Sequence, residues 1–166
     1  MVMQEGFKYP DTKAYEYVKR ELRSHGVGLT DIAKIVWETE YKYIPDLEVG
    51  KIIEEIDNVL HKREVLNNIM TGLFLDKAAQ RGVVDYPLQE IIENDAGVYG
   101  VDETLAIQIA NIYGSVGVSN FGYLDKAKTG IMAELDNDSG KVNTFIDDIV
   151  GGVAAAVCGK LAHATA

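Results

Sequence analysis

The amino-acid sequence predicts an all-α fold, a compact bundle of about six or seven helices. Apolar residues recur at intervals of three and four over most of the chain, as one face of an α-helix requires. β-branched residues rarely alternate with polar ones over more than four positions, so strand signals are weak. The 166 residues are 47% hydrophobic and include three prolines but no low-complexity run. A chain of this size and composition is predicted to form one globular domain over residues 1–166.

The predicted helices follow one another with short connections. Thr30 is expected to cap the second helix. The third helical stretch is long for a globular protein, and we expect it to break near His61 or Gly72. The glycine-rich stretch 114–122 indicates a looser connection. The predicted helical ranges are 11–23, 31–42, 47–79, 87–93, 102–112, 126–135 and 144–162.

Composition excludes several classes of function. Twenty-six acids against sixteen bases give a formal net charge of −10, which opposes binding to nucleic acid. The single cysteine, Cys158, excludes an internal disulfide and favours a reducing, cytoplasmic location. Three scattered histidines are too few for a histidine-built zinc site, whereas abundant carboxylates suit a hard cation such as Mg²⁺.

No membrane-spanning segment is expected from the sequence. Residues 1–11 contain no apolar run typical of an export signal. The longest apolar stretch, 149–159, is interrupted by glycines and is much shorter than the roughly 20 residues that span a bilayer. It is therefore interpreted as a buried helix.

The most informative carboxylates are Asp147 and Asp148, which lie in the most apolar part of the sequence. An ionised carboxylate in apolar surroundings requires a partner or a metal, because its desolvation is costly. Gly151 and Gly152 follow one turn later and predict the close approach of a second helix. The alternative is that both aspartates supply only favourable charge to the first turn of a helix.

A second acid pair, Asp102 and Glu103, opens another apolar helix. Adjacent helical positions point about 100° apart, so one of these acids is expected to face the core and the other its rim. Acids are common in first turns, which is again the structural alternative. Two such pairs converging between helices are typical of a divalent-metal site in a helical bundle.

Charged residues also occur between the two acid pairs. Asp125 is a candidate for a further metal ligand, and Lys128 or Lys126 for a cation that contacts an anionic group. The alternative is an N-cap aspartate followed by solvated lysines.

Three other features favour structural interpretations. Asp57 and His61 have the spacing of two metal ligands on one helix, but that spacing equally suits a surface ion pair. The segment 114–117 resembles a phosphate-binding turn only loosely, because no Gly-Lys-Ser/Thr follows it. Cys158 lies among alanines and valine and is expected to be a small buried apolar residue.

Taken in order, three motifs resemble those of the phosphatidylglycerophosphatase A family, which read approximately Asp-Glu, Leu-Asp-x-x-Lys-Pro and Asp-Asp-x-x-Ala-Gly. The resemblance covers residues 97–163, and residues 1–95 are similar to the short soluble branch of the family, which lacks membrane spans. The matching motifs are Val101-Asp102-Glu103, Leu124-Asp125-Lys126-Ala127-Lys128 and Ile146-Asp147-Asp148-Ile149-Val150-Gly151-Gly152.

The resemblance implies an all-helical, Mg²⁺-dependent phosphatase that converts phosphatidylglycerophosphate to phosphatidylglycerol. It also implies catalytic roles for Asp147, Asp148 and Lys128, in which the lysine neutralises a phosphate oxygen. The metal ligands that it implies are Asp102, Glu103, Asp125, Asp147 and Asp148. One of these acids could instead activate the attacking water.

Two functional hypotheses follow. The first is a Mg²⁺-dependent phosphomonoester hydrolase that acts on phosphatidylglycerophosphate or on a smaller soluble phosphomonoester. The second is a non-catalytic helical metal-binding assembly or regulatory module. The expected partners are a phosphorylated substrate, with a phospholipid as the first candidate, and further copies of the chain in a homo-oligomer. Peripheral contact with a membrane is compatible with the first hypothesis.

Overall fold

The computed structural model describes residues 5–165, which form α-helices and no strand. The predicted all-α class is confirmed. A short 3-10 turn spans Asn111–Tyr113. The helices are α1 (Asp11–Ser24), α2 (Leu29–Glu40), α3 (Val49–Leu60), α4 (Arg63–Gln80), α5 (Leu88–Glu93), α6 (Val101–Ala110), α7 (Gly114–Ala127), α8 (Ile131–Asp136) and α9 (Ile146–Thr165).

The last helix, α9, lies at the centre of the bundle. Its residues from Ile146 to Gly159 are all buried, and it contacts α2, α3, α4, α6, α7 and α8. Alanine and glycine dominate this stretch, so neighbouring helices can approach its backbone closely. A Cβ placed on Gly152 would lie 2.7 Å from the carbonyl oxygen of Ala106 on α6. The predicted close approach of a second helix is therefore confirmed.

The long helical stretch predicted over 47–79 is divided at His61 into α3 and α4, which is one of the two expected positions. Helix α4 continues unbroken through Gly72. The predicted break is therefore confirmed at His61 and not at the alternative position, because Gly72 serves packing. A Cβ placed there would lie 3.2 Å from the Cβ of Phe145, beside α9.

Two predictions for residues 114–135 were wrong. The glycine-rich stretch forms the helix α7, because Gly117 lets that helix lie against Gly159 of α9. The helix predicted over 126–135 is interrupted, because Lys128 adopts a left-handed conformation with φ 44° and α8 begins only at Ile131. Asp125 lies in the last turn of α7, so its interpretation as an N-cap was also wrong.

The second helix begins earlier than predicted. Gly28 occupies the N-cap position, and its N–H donates to Asp31 Oδ2 at 2.7 Å. Thr30 lies within the first turn and does not cap the helix. None of the helices within residues 5–165 is both long and apolar enough to cross a membrane.

Candidate metal and phosphate site

The two predicted acid pairs meet at a cavity of about 240 Å³. It lies between the first turn of α6, the end of α7, the first turn of α9 and the loop that precedes α6. Seven carboxyl side chains and one lysine line this acid cavity. The charged side chains are those of Asp95, Asp102, Glu103, Asp125, Asp136, Asp147, Asp148 and Lys128.

Asp147 and Asp148 lie in the first turn of α9, and both are buried. The start of α9 is held by Asp76 from α4. Its carboxylate accepts hydrogen bonds from the backbone N–H of Phe145 at 3.0 Å and of Ile146 at 3.0 Å. Asp76 thereby fixes the position from which both site aspartates project.

Lys128 provides the cation of the acid cavity. Its Nζ donates to Asp147 Oδ2 at 2.7 Å and to Asp148 Oδ1 at 2.9 Å, and lies 3.1 Å from Asp125 Oδ1. Burial alone would lower the pKa of Lys128, but the hydrogen bonds and charges of Asp147 and Asp148 outweigh it and raise that pKa. The lysine is therefore charged throughout the neutral range. Its left-handed backbone at the end of α7 turns the chain so that the side chain reaches α9.

Asp102 and Glu103 face the same space from α6. Asp102 is buried and Glu103 is half-buried, as the predicted difference between core and rim requires. Asp102 Oδ1 and Glu103 Oε2 are both buried and have no hydrogen-bond partner within the described part of the chain. Buried carboxylate oxygens without a partner are costly, so these two atoms point to a ligand.

Burial disfavours the charged form of several of these carboxyl groups. It raises the pKa of Asp147 to about 6 against the opposing effect of Lys128. Burial and then the charge of Asp147 raise the pKa of Asp148, and burial and then the neighbouring Glu103 carboxyl group raise that of Asp102. A single lysine thus leaves the acid cavity short of positive charge.

The donor set fits a hard divalent cation. One oxygen each from Asp102, Glu103 and Asp148 lie within 4.8 Å of one another. Carboxylate oxygens without nitrogen or sulfur ligands are the set preferred by Mg²⁺ and Ca²⁺. Of the five predicted metal ligands, these three come together, whereas Asp147 and Asp125 contact Lys128.

Three residues that shape the site were not predicted from the sequence. Asp76 follows Ile69 and Leu73 at helical spacing, so its place on the buried face of α4 was detectable. Asp95, with φ 45°, and Asp136 line the acid cavity from irregular or short segments that carry no periodic signal.

The remaining candidates lie elsewhere. The side chains of Asp57 and His61 are partly exposed, and His61 Nδ1 lies 3.7 Å from Asp57 Oδ2. This geometry suits the surface ion pair that was the structural alternative. Burial raises the pKa of Cys158, so this residue is a buried thiol rather than a reactive thiolate. Residues 114–117 begin α7 and pack beside α9, so they form part of the contact between these two helices.

Comparisons with known proteins place this chain in a wider group. The family model for phosphatidylglycerophosphatase A matches residues 26–163. The YutG protein of Bacillus subtilis (strain 168) is 43% identical over 164 residues, which cover 98% of this chain and 96% of YutG. The YpjQ protein of the same strain is 42% identical over 156 residues, which cover 94% of this chain and 88% of YpjQ.

Solved structures agree closely with the fold. The crystal structure of Bacillus subtilis YpjQ has a TM-score of 0.90 at 41% identity and covers 95% of this chain and 98% of its own. The low temperature requirement C protein from Listeria monocytogenes has a TM-score of 0.88 at 46% identity and covers 92% of this chain and 96% of its own.

Proposed function

This chain belongs to the phosphatidylglycerophosphatase A family, and from that premise we propose that it is a Mg²⁺-dependent phosphomonoester hydrolase acting on phosphatidylglycerophosphate. The observation that carries the proposal is the pair of buried oxygens on Asp102 and Glu103, which have no partner among residues 5–165 and face Asp148. A cation bound there would satisfy both atoms and offset the excess of carboxylates. It would also give an acidic protein the means to attract a phosphate.

Asp102, Glu103 and Asp148 are the residues that would hold Mg²⁺. When bound, this ion neutralises phosphate oxygens and activates the attacking water as a Lewis acid. The other elements of the site are supplied by the chain itself.

Lys128 and Asp147 lie beside these three residues, 2.7 Å apart. In the proposed mechanism the ammonium group of Lys128 donates to a phosphate oxygen and stabilises charge that develops during hydrolysis. Water attacks phosphorus and the bond from phosphorus to the alcohol oxygen breaks. Asp147 accepts the proton of the water and passes it to the departing alcohol oxygen, which restores the carboxylate. Asp76 orients both aspartates through the start of α9.

Two alternatives have specific support. A cavity of about 240 Å³ accommodates a phosphate headgroup and little more, which is equally compatible with a soluble phosphomonoester. Lys128 already donates to two carboxylates and would have to share these hydrogen bonds with a phosphate, which favours a metal-binding module without turnover. The cytoplasmic location, homo-oligomeric state and single-domain organisation stay predictions.

The test is phosphate release from phosphatidylglycerophosphate in detergent micelles, with Mg²⁺ or with a chelator. We expect Mg²⁺-dependent release that Asp147→Asn lowers by about 100-fold or more, because the variant lacks the proton acceptor. Asp11→Asn changes an exposed carboxylate on α1 and serves as the matched control.

Each outcome discriminates between the hypotheses. Retained turnover in Asp147→Asn would contradict the mechanism. Release from glycerol 3-phosphate but not from the lipid would favour the soluble substrate. Mg²⁺ binding without release from either compound would favour the non-catalytic module.

A further inference from the structure

A second cavity, distinct from the acid cavity, lies between the end of α1, the end of α4 and the segment that precedes α9. Its volume is about 640 Å³, within the range of cavities that hold small molecules, and none of its lining residues lines the acid cavity. We name it the basic cavity after the cations that line it. These are Arg20, Lys77, Arg81 and Lys141.

Hydrogen bonds between its walls hold the basic cavity in shape. Lys77 on α4 donates to Glu21 Oε2 on α1 at 3.3 Å. The side-chain oxygen of Gln80, the last residue of α4, accepts the backbone N–H of Val142 at 2.6 Å. This second bond fixes the segment that carries Lys141 against the end of α4. The fold therefore gathers cations from three separate parts of the chain into one cavity.

Two acids line the basic cavity, and both already have partners. Glu21 Oε2 lies 3.3 Å from Lys77 Nζ, and Glu21 Oε1 lies 3.6 Å from Arg20 Nε. Asp76 is buried, and its carboxylate accepts the backbone N–H groups at the start of α9. With both acids ionised, four cations against two acids leave an excess of two positive charges, although the net charge of the chain is −10.

Arg81 and Lys141 carry the unmatched charge. Both residues are exposed, and neither forms an ion pair within residues 5–165. The acid nearest to Lys141 in the sequence is Asp138, whose Oδ1 accepts the N–H of Gly140 at 3.0 Å. Like charges gathered in one cavity repel one another, so this arrangement favours an anion that binds between them.

We propose that the basic cavity binds a small molecule that carries phosphate groups, such as a diphosphate. The guanidinium groups of Arg20 and Arg81 present paired N–H donors that match phosphate oxygens, and Lys77 and Lys141 add compact positive charges. A diphosphate carries at least two negative charges at neutral pH and so compensates the excess. This inference is independent of the proposed hydrolysis, because the two cavities share no lining residue.

The test is a calorimetric titration of pyrophosphate into the full-length protein without Mg²⁺, which would complex the probe. We expect saturable binding that Arg81→Gln and Lys141→Gln each weaken by about tenfold or more, because each variant lacks a charged donor to phosphate. The melting temperature of both variants should equal that of the unaltered protein, because neither side chain forms an ion pair in the described part of the chain.

Lys62→Gln is the matched control, since it removes the same charge from the same helix. Lys62 is exposed at the N-cap of α4 and Arg81 lies at its C-cap, so the 18 residues of the helix separate them by roughly 27 Å. This variant should bind pyrophosphate as the unaltered protein does. An equal loss of affinity in Lys62→Gln would indicate attraction by overall charge alone and would overturn the inference.

Two other results would also overturn it. One is the absence of saturable binding to the unaltered protein. The other is unchanged binding in both Arg81→Gln and Lys141→Gln, which would place the anion elsewhere. A parallel titration with ADP separates two sources of the same chemistry. Tighter binding of ADP than of pyrophosphate would support a nucleotide, and equal or weaker binding would support recognition of the phosphate groups alone.

Discussion

The exposed ion pair between α1 and α4 and the charged residues of the acid cavity are arranged in opposite ways. In the exposed pair, Arg63 donates to Asp11 at 2.7 and 2.8 Å while both side chains remain more than half exposed. In the acid cavity, seven carboxyl groups share Lys128 alone. The exposed pair remains hydrated. The acid cavity removes several carboxyl groups from water without giving each of them a positively charged partner.

This difference indicates which charges serve function. Exposed ion pairs contribute about 1 kcal/mol or less and can be exchanged with little effect. Buried carboxyl groups in excess destabilise the fold, so their presence requires a benefit other than stability. The proposed binding of a divalent cation at Asp102, Glu103 and Asp148 would provide that benefit.

The largest expected effect on stability is that of Lys128→Met in the metal-free protein. This change leaves Asp147 and Asp148 buried without their partner and should lower the free energy of unfolding by about 3–5 kcal/mol. Arg63→Met, its control at the exposed pair, should lower it by about 1 kcal/mol or less. Urea unfolding in the presence of a chelator measures both.

Equal losses in the free energy of unfolding for Lys128→Met and Arg63→Met would contradict the difference between the acid cavity and the exposed ion pair. Added Mg²⁺ should restore part of the loss in Lys128→Met, because a bound cation compensates the same carboxylates. It should leave Arg63→Met unchanged.

A smaller effect is expected from two glycine substitutions on helices that border the acid cavity. Gly152→Ala would place a Cβ 2.7 Å from the oxygen of Ala106 and separate α9 from α6. We expect a loss of about 1–3 kcal/mol in the free energy of unfolding, together with weaker Mg²⁺ binding. Gly122→Ala on α7 meets nothing within 4 Å and should stabilise the protein by about 0.5–1 kcal/mol.

Thermal unfolding and a Mg²⁺ titration check this pair of glycine variants. A Gly152→Ala protein as stable as the unaltered chain would mean that the contact between α6 and α9 does not set the geometry of the site.

How much the sequence could predict depends on the type of signal. The acid pairs were detectable because charge in an apolar helix is locally improbable, and Gly152 because glycine beside such charge suggests close packing. The role of Asp76 as a cap for α9 depends on a contact between residues 69 positions apart, which no local pattern encodes. The position of Lys128 depends on a left-handed turn that interrupted a helix predicted to be continuous.

The smallest expected effect concerns pH and the partly exposed pair between α3 and α9. Hydrogen bonds from Lys160 and then Lys51 lower the pKa of Glu55 from 4.5 to about 2. Because the folded-state pKa is lowered, the stability that Glu55 contributes is present above the unfolded value and is lost as pH falls toward the folded value.

Glu55→Gln should therefore lower the melting temperature slightly at neutral pH. Its melting temperature should also decline less than that of the unaltered protein as the pH falls from about 5 to about 2. Parallel melting curves for the two proteins over that range would contradict the assigned role of Glu55.

The most direct test of the central claim is a calorimetric titration of Mg²⁺ into the unaltered protein, Asp102→Asn and Asp11→Asn. Asp102 contributes a buried oxygen that has no partner in the described part of the chain, whereas Asp11 is exposed and paired with Arg63. We predict saturable binding to the unaltered protein and to Asp11→Asn, and binding weakened by about tenfold or more in Asp102→Asn. Equal affinity in all three proteins, or no binding in any, would contradict the assignment of the acid cavity as a metal site.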